Sequence, residues 1–419
     1  MQSILNKIQP WLWAGVWFSL PVSLKMNSIF LILFSTATLL NLAYYRPKFS
    51  RQQIILSSLF FLFFLANASS LLFGPDTVEV KNNLERKLSY IAIPIVIMLL
   101  DHSKWDVEKW AIRGFFAGLM VTGTHMLFLA LLNILSGIDW HLYTYHEFTK
   151  PYSIGAIYYS LYLSTAIFYL LFKNPEPIIT KYRLFLFSFF LLLLLLCASK
   201  LFIGFMLPII LWQYFKKLKT KKSLVTYLIT ALVLIGLFAA SIPFLNRLAE
   251  LKNTNLKVVS QKEFAYDTPF NGLNFRLLQW RLGIEILNEN NAWLLGIGIG
   301  EKQNLLNEKY KEYNIYTGNP DLGDSGYLNY NFHNQYLETL VGSGIIGLLL
   351  LFFIIFYIFV RHRKKLFFPF VVYFLILLFF IFESVLERQV GIVFFCLTWM
   401  LSTNSATTTY GSNTIAGTK

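Results

Sequence analysis

Three side chains in this sequence, His333, Arg276 and Lys200, could do chemistry, and polar groups at the edge of an apolar run, such as His333, either face water or act, because burying them in hydrocarbon is costly. His333 lies in "NYNFHNQYLETLVGSGIIGLLLLFFIIFYIF", residues 329–359, where a polar cluster runs straight into a long apolar run. Asn334, Gln335, Tyr336 and Glu338 surround it, and Gly342, Gly344 and Gly347 follow, residues that permit close helix approach. An imidazole is a competent base near neutral pH, so His333 is a candidate proton acceptor; the plainer alternative is an interfacial histidine bonded to loop carbonyls. Lys200 sits in "CASK" between two apolar runs, with no Asp or Glu anywhere in 177–249. It reads either as a snorkelling lysine that caps a turn or as a cation for an anionic, lipid-borne substrate.

Arg276 opens "NFRLLQWRLGIEILNENNAWLLGIGIG", which has the pattern of an amphipathic helix ended by Gly-rich turns. Arg276, Trp280, Gly283 and Leu287 follow i, i+4, i+7, i+11 and share one face. Arg281 has Glu285 one turn on as an ion-pair partner, whereas Arg276 has no acidic residue three or four positions away. The structural role therefore falls to Arg281 and the freer cation is Arg276. "GIGIG" follows a helix, not a strand, and its glycine spacing is wrong for a dinucleotide site, so it reads as a tight turn leading back toward the membrane. His102, His125, His141, His146 and His362 are weaker candidates by position. No metal site is expected, "DLGD" at 321–324 being only a weak acidic pairing, and no cofactor is expected either. Cys197 and Cys396 both fall inside apolar runs and read as packing residues.

The elements that must position these groups are membrane spans. Of 419 residues, 56% are hydrophobic and only 14% charged, against roughly a quarter charged in soluble chains. Apolar runs near 8–24, 27–45, 54–73, 87–101, 111–135, 153–172, 184–198, 201–215, 224–244, 335–360, 366–382 and 389–403 predict an all-α polytopic membrane protein with about twelve transmembrane helices. No cleavable signal peptide is expected, since Lys7 precedes a run with three tryptophans and no small-residue cleavage site. Residues 184–213 contain one charge in thirty; one helix of that length would span about 45 Å, more than the hydrocarbon core, so the chain should turn at "CASK".

The net charge of +14 is a topology signal and not a nucleic-acid signal. Alternate connections and the termini hold twenty basic residues, clustered as in Lys216, Lys217, Lys219, Lys221 and Lys222, while the opposite connections hold seven. This asymmetry puts both termini in the cytoplasm. The chain then divides into transmembrane helices 1–9 over 1–244, one large periplasmic loop over 245–334, helices 10–12 over 335–403, and a polar, disordered cytoplasmic tail over 404–419.

"FHNQYLETLVGSGIIGLLLLF" resembles the His-Asn-x-Tyr-Leu…Gly-x-x-Gly stretch of the bacterial O-antigen ligase/polymerase family. "FRLLQWRLGIEILNENNAWLLGIGIG" is similar to the Arg-x-x-x-Trp…Leu-Leu-Gly-x-Gly stretch that precedes it there, and "ASKLFIGFMLPIIL" to that family's Ser-Arg turn between two spans. The resemblance implies a GT-C-like membrane glycosyltransferase of the bacterial inner membrane, with metal-independent transfer from an undecaprenyl-diphosphate-linked glycan donor. The acceptor it implies is lipid A–core or another glycan, with membrane lipids around it and no nucleic acid. It implies His333 as base and Arg276 and Lys200 as diphosphate-binding cations; Asn334, Tyr336, Trp280 and Glu338, by their places beside these residues, are the expected supporting groups. Lys200 departs from the family's usual arginine; lysine keeps the charge but loses the bidentate fork.

Ligation is the expected reaction, because none of the eleven arginines has glycine eleven residues on, a spacing frequent in repeat polymerases of this superfamily. Repeat polymerisation and protein O-glycosylation remain alternatives within the enzyme class. A secondary transporter is the alternative outside it; internal repeats and midplane polar residues would favour that reading, and the polarity here gathers at the outer end.

Overall fold

In a computed structural model of the chain, residues 2–72, 77–101, 103–138, 143–173, 175–215, 254–266, 268–319, 321, 323–362 and 367–411 are described. Their secondary structure is helical, with no strand among them. In chain order the helices are α1 (Gln2–Ser19), α2 (Leu24–Asn41), α3 (Arg51–Ala68), α4 (Thr77–Lys87), α5 (Ser89–Met98) and α6 (Val107–Leu135). Next come α7 (His146–Thr149), α8 (Ala156–Phe172), α9 (Pro177–Lys181), α10 (Arg183–Leu196) and α11 (Lys200–Phe215). The last five are α12 (Asn274–Glu289), α13 (Lys302–Glu312), α14 (Gln335–His362), α15 (Phe367–Phe382) and α16 (Gln389–Gly411).

Among the described residues, four helical segments are long and apolar enough to cross a membrane: Leu24–Asn41, Arg51–Leu71, Val107–Leu135 and Gln335–Val360. A fifth candidate is the pair His146–Tyr152 and Ala156–Phe172, bent by 85° at its break. The protein is thus a helical membrane protein. Of the twelve expected spans, the one at 224–244 lies outside the described residues, as do the basic cluster 216–222 and residues 412–419 of the tail. Helix α16 runs on to Gly411, into the segment expected to be disordered, since a helix started in an apolar run extends at one hydrogen bond per added residue.

The chain divides into two units. The first comprises 1–46, 101–249 and 362–376. Within it α1 packs on α2 and α6, and two polar side chains tie it to the rest of the unit: the Trp13 indole donates to the Val107 carbonyl at 2.9 Å, and Gln9 donates to Thr38 at 3.0 Å. Helix α8 is buried on nearly every face, as a helix apolar all round should be. The turn expected at "CASK" is present: α10 ends at Leu196, Ala198 takes a left-handed φ of 46°, and α11 starts at Lys200.

The second unit comprises 47–100, 250–361 and 377–419. Here α3, α5 and α16 pack together, and α12 packs on α13 and on the 3-10 turn Leu256–Ser260. Phe275, Leu278, Leu282 and Ile286 form the buried stripe of α12 at three- and four-residue spacing, joined by Leu306 and Tyr310 of α13, Phe332, and Val341 of α14. The large loop therefore has a core of its own that takes in the start of a span.

That span is not one straight helix. Gly344 has φ 64° and ψ −168°, which breaks α14 inside the run expected to be continuous over 335–360. The segment Trp293–Gly298 lies against the break: the Ile345 amide donates to the Trp293 carbonyl at 2.8 Å, and the amides of Ile297 and Gly298 donate to the carbonyls of Val341 at 2.7 Å and Gly342 at 3.2 Å. A Cβ at Gly344 would sit 2.2 Å from the Leu294 carbonyl oxygen, and one at Gly296 2.6 Å from the Gly344 nitrogen. "GIGIG" does turn the chain, and its first glycine is there because two backbones meet.

Candidate active site

The site is built from the turn that leads into α14. Asn334 caps the helix: its side-chain oxygen accepts from the Leu337 amide at 3.0 Å and its carbonyl from the Glu338 amide at 2.8 Å. His333, just before it, has φ 45°, a left-handed conformation unusual for a non-glycine residue, and its amide donates to Asn331 Oδ1 at 3.0 Å. The indole of Trp280 on α12 donates to the Phe332 carbonyl at 3.0 Å, and Gly283 faces Phe332 and Leu337. The face shared by Arg276, Trp280 and Gly283 thus meets the histidine turn.

His333 Nδ1 lies 3.3 Å from Glu383 Oε2, with the imidazole 21% exposed. Glu383 follows the last residue of α15 and is buried. The tautomer that donates from Nδ1 to this carboxylate leaves the Nε2 lone pair available to accept a proton. Burial alone would raise the Glu383 pKa. The hydrogen bond from His333, followed by the positive charges of His333, Arg388 and Arg276, outweighs it and holds the carboxyl below its ordinary range. Glu383 is therefore an anion at neutral pH.

Arg276, in the first turn of α12, is half-buried; its Nη1 donates to the Gly272 carbonyl at 2.6 Å, and its Nε is buried with no hydrogen-bond partner among the described residues. Arg281 behaves as its spacing predicts, pairing with Glu285 at 3.0 Å, donating to the Val259 and Gln261 carbonyls and lying over the Tyr313 ring. Arg276 is the cation of this helix whose field reaches Glu383.

Beneath the dyad lies a four-charge network. Lys302 Nζ is 2.5 Å from Glu338 Oε1 and 2.9 Å from Glu387 Oε2, and Lys87 Nζ is 2.8 Å from Glu387 Oε1. Burial alone would lower the Lys302 pKa, but the adjacent Glu338 and Glu387 carboxylates outweigh it and raise the value. Burial would likewise raise Glu387, but Lys302 and Lys87 hold it well below its ordinary value. The network also straps the connection 383–388 to the histidine turn. Glu338 Oε2 accepts from Ser384 Oγ at 2.9 Å and from the Phe332 amide at 3.3 Å, and Gln335 Oε1 accepts from the Leu386 amide at 2.6 Å.

Of the residues expected at the site, His333, Arg276, Trp280, Asn334 and Glu338 come together in the second unit, where Glu338 and Asn334 shape the turn. Tyr336 donates to the Leu377 carbonyl at 3.2 Å and stacks on Phe352, a packing position. Lys200 belongs to the first unit, where it begins α11 and is half-buried. Glu383, Glu387, Lys302 and Lys87 were not anticipated. The one available signal was "ESVLER", two carboxylates and an arginine in a short connection between apolar runs.

No curated protein matches the chain. Residues 182–352 match the model of a family described as O-antigen ligase, a stretch that includes Lys200, Arg276, Lys302, His333 and Glu338 and ends before Glu383.

Proposed function

We infer from the match of residues 182–352 to the O-antigen ligase family that this chain is a membrane glycosyltransferase acting on a lipid-linked glycan in polysaccharide assembly. Its donor in this reading is an undecaprenyl-diphosphate-linked glycan and its acceptor a hydroxyl of lipid A–core. The observation that supports this best is the pairing of His333 with the buried anion Glu383 at 3.3 Å, with Arg276 close enough to act on that anion.

The reaction follows from these groups. His333 Nε2 takes the proton of the acceptor hydroxyl as its oxygen forms a bond to the anomeric carbon of the glycan. The bond from that carbon to the carrier diphosphate breaks, and its electron pair leaves with the phosphate oxygen. Glu383 stabilises the imidazolium that forms and keeps the ring oriented. Arg276 neutralises the leaving diphosphate. The diphosphate already activates the anomeric carbon, so positioning, one proton transfer and charge stabilisation complete the step without a cofactor or metal.

Two experiments test this reading. Deleting the gene and analysing the glycans separates the alternatives: full-length polymer left on the carrier means ligation, and single repeats on lipid A–core mean polymerisation. In a reconstituted assay with purified lipid-linked glycan, His333→Gln retains little transfer; full activity there would end the general-base role. The proposed orientation, with both termini cytoplasmic and the site periplasmic, rests on the basic asymmetry. A cysteine placed in 253–260 reacts with a membrane-impermeant thiol reagent in intact spheroplasts, and one in 216–222 does not.

A further inference from the structure

We infer that the loop tip Trp293–Leu294–Leu295 is embedded in the lipid leaflet at that end of α14, so that the large loop is anchored in the bilayer beside its own span. The inference rests on the protein being a membrane protein and on the break in α14, and it is independent of the catalytic reading. Trp293 is 42%, Leu294 61% and Leu295 48% exposed, three large apolar side chains in a row on a loop. Contiguous exposed apolar surface of this kind marks a binding surface, and the structure indicates which one.

The Trp293 carbonyl accepts the amide of Ile345, so the tip is fixed to the span at its break. From that residue downward, Ile345, Ile346, Leu349, Phe353 and Phe356 are exposed along α14 at helical spacing, the lipid-facing stripe of a span. The tip continues that stripe upward. Its backbone also completes the helix: the break at Gly344 frees amides and carbonyls that α14 cannot pair, and Trp293, Ile297 and Gly298 pair them. In hydrocarbon such groups must be satisfied within the protein.

Lengths agree with this depth. Residues 345–360 make an apolar helix of about 24 Å, short of the roughly 30 Å hydrocarbon core. The missing ångströms lie above Gly344, beside the exposed tip. The part of α14 above the break carries Gln335, Glu338, Thr339 and Ser343, all buried against protein, and not a lipid face. Trp293 suits an interfacial depth, with an apolar ring and an indole N–H that donates to Asn288 Oδ1 at 3.0 Å.

The test uses the full chain with Cys197 and Cys396 replaced by alanine. Single cysteines at Trp293, Leu294 or Leu295, and at the exposed Asn304 of α13 as a reference, carry an environment-sensitive fluorophore. The labelled proteins are reconstituted into phosphatidylethanolamine/phosphatidylglycerol vesicles. The expected result is blue-shifted emission at 293–295 with most intensity lost to lipids bearing a shallow doxyl quencher and little to aqueous iodide, and the reverse at 304. Quenching of the tip by iodide overturns the proposal. So does resistance to both quenchers, which would mean that protein covers the tip. Three separate label sites keep the answer available if one substitution disturbs folding.

Discussion

Glu383→Gln is the most searching single substitution, because it keeps the size of the side chain and removes only the charge beside His333. A unit charge 3.3 Å from the imidazolium interacts with it by about 5 kcal/mol at an effective dielectric of 20, an upper figure because the ring is partly exposed. General-base assistance as a whole typically contributes about 10²- to 10⁴-fold, which bounds the loss from the other side. The expected fall in transfer is therefore about 10²- to 10³-fold. Glu383 contributes in this way only as an anion. Its pKa is held below the usual carboxylate range, so its charge and the stability linked to it are present above the unfolded carboxyl value and lost only as pH falls through the lower folded one. Glu383 thus stays ionised from pH 5 to 8, and a wild-type acid limb in that window does not come from it. The assay is reconstituted transfer from purified lipid-linked glycan, with His333→Ala and the double variant completing a cycle. If Glu383 acts through the histidine, the double variant is no slower than His333→Ala alone. Losses that multiply, or a Glu383→Gln protein with more than half of wild-type activity, would refute the dyad.

Lys302→Met leaves Glu338 and Glu387 with only Lys87 between them, and breaking a buried ion pair in this way costs about 3–5 kcal/mol; an unchanged thermal midpoint in detergent would count against the network. Arg276→Ala is expected to cut transfer with little change in thermal stability, and Arg281→Ala to do the opposite, because Arg281 is held by Glu285 and two carbonyls; exchanged phenotypes would reverse the assignment. Gly344→Ala puts a Cβ 2.2 Å from the Leu294 carbonyl oxygen at a positive φ, so the variant is expected to lose yield and stability together; a protein as stable as wild type would mean that the loop does not lie against the break.

Where an element depends on local sequence, the residues announced it. Apolar runs marked the helices, the i, i+4 spacing of Arg281 and Glu285 marked their ion pair, and the charge count of 184–213 required the turn that Ala198 makes. The histidine, Arg276 and Trp280 were legible because each lies in a stretch with its own polar or amphipathic pattern. Glu383 was not, since its partner is 50 residues away and nothing in "FESVLER" says which carboxylate turns inward. The network was hidden for the same reason: Lys87 and Lys302 look like ordinary solvated cations until the fold buries them. The break at Gly344 escaped because hydropathy averages over a window, whereas the conformation of one glycine is set by a loop backbone that arrives from 50 residues earlier.

The unit that holds the site is stitched from three separated stretches, 47–100, 250–361 and 377–419, and this orders its birth. Lys87 is made early and its carboxylate partner Glu387 comes 300 residues later. Lys302 and Glu338 can meet before that, but Glu383, Ser384 and Glu387 arrive only with the last stretch. During synthesis from the N-terminus, His333 is thus complete in sequence before the anion that orients it exists. A chain cut short after α14 would have its loop, its histidine and its cations, yet leave Lys87 without Glu387 and the imidazole without Glu383, so the contacts that hold this cluster close only when the final stretch has been made.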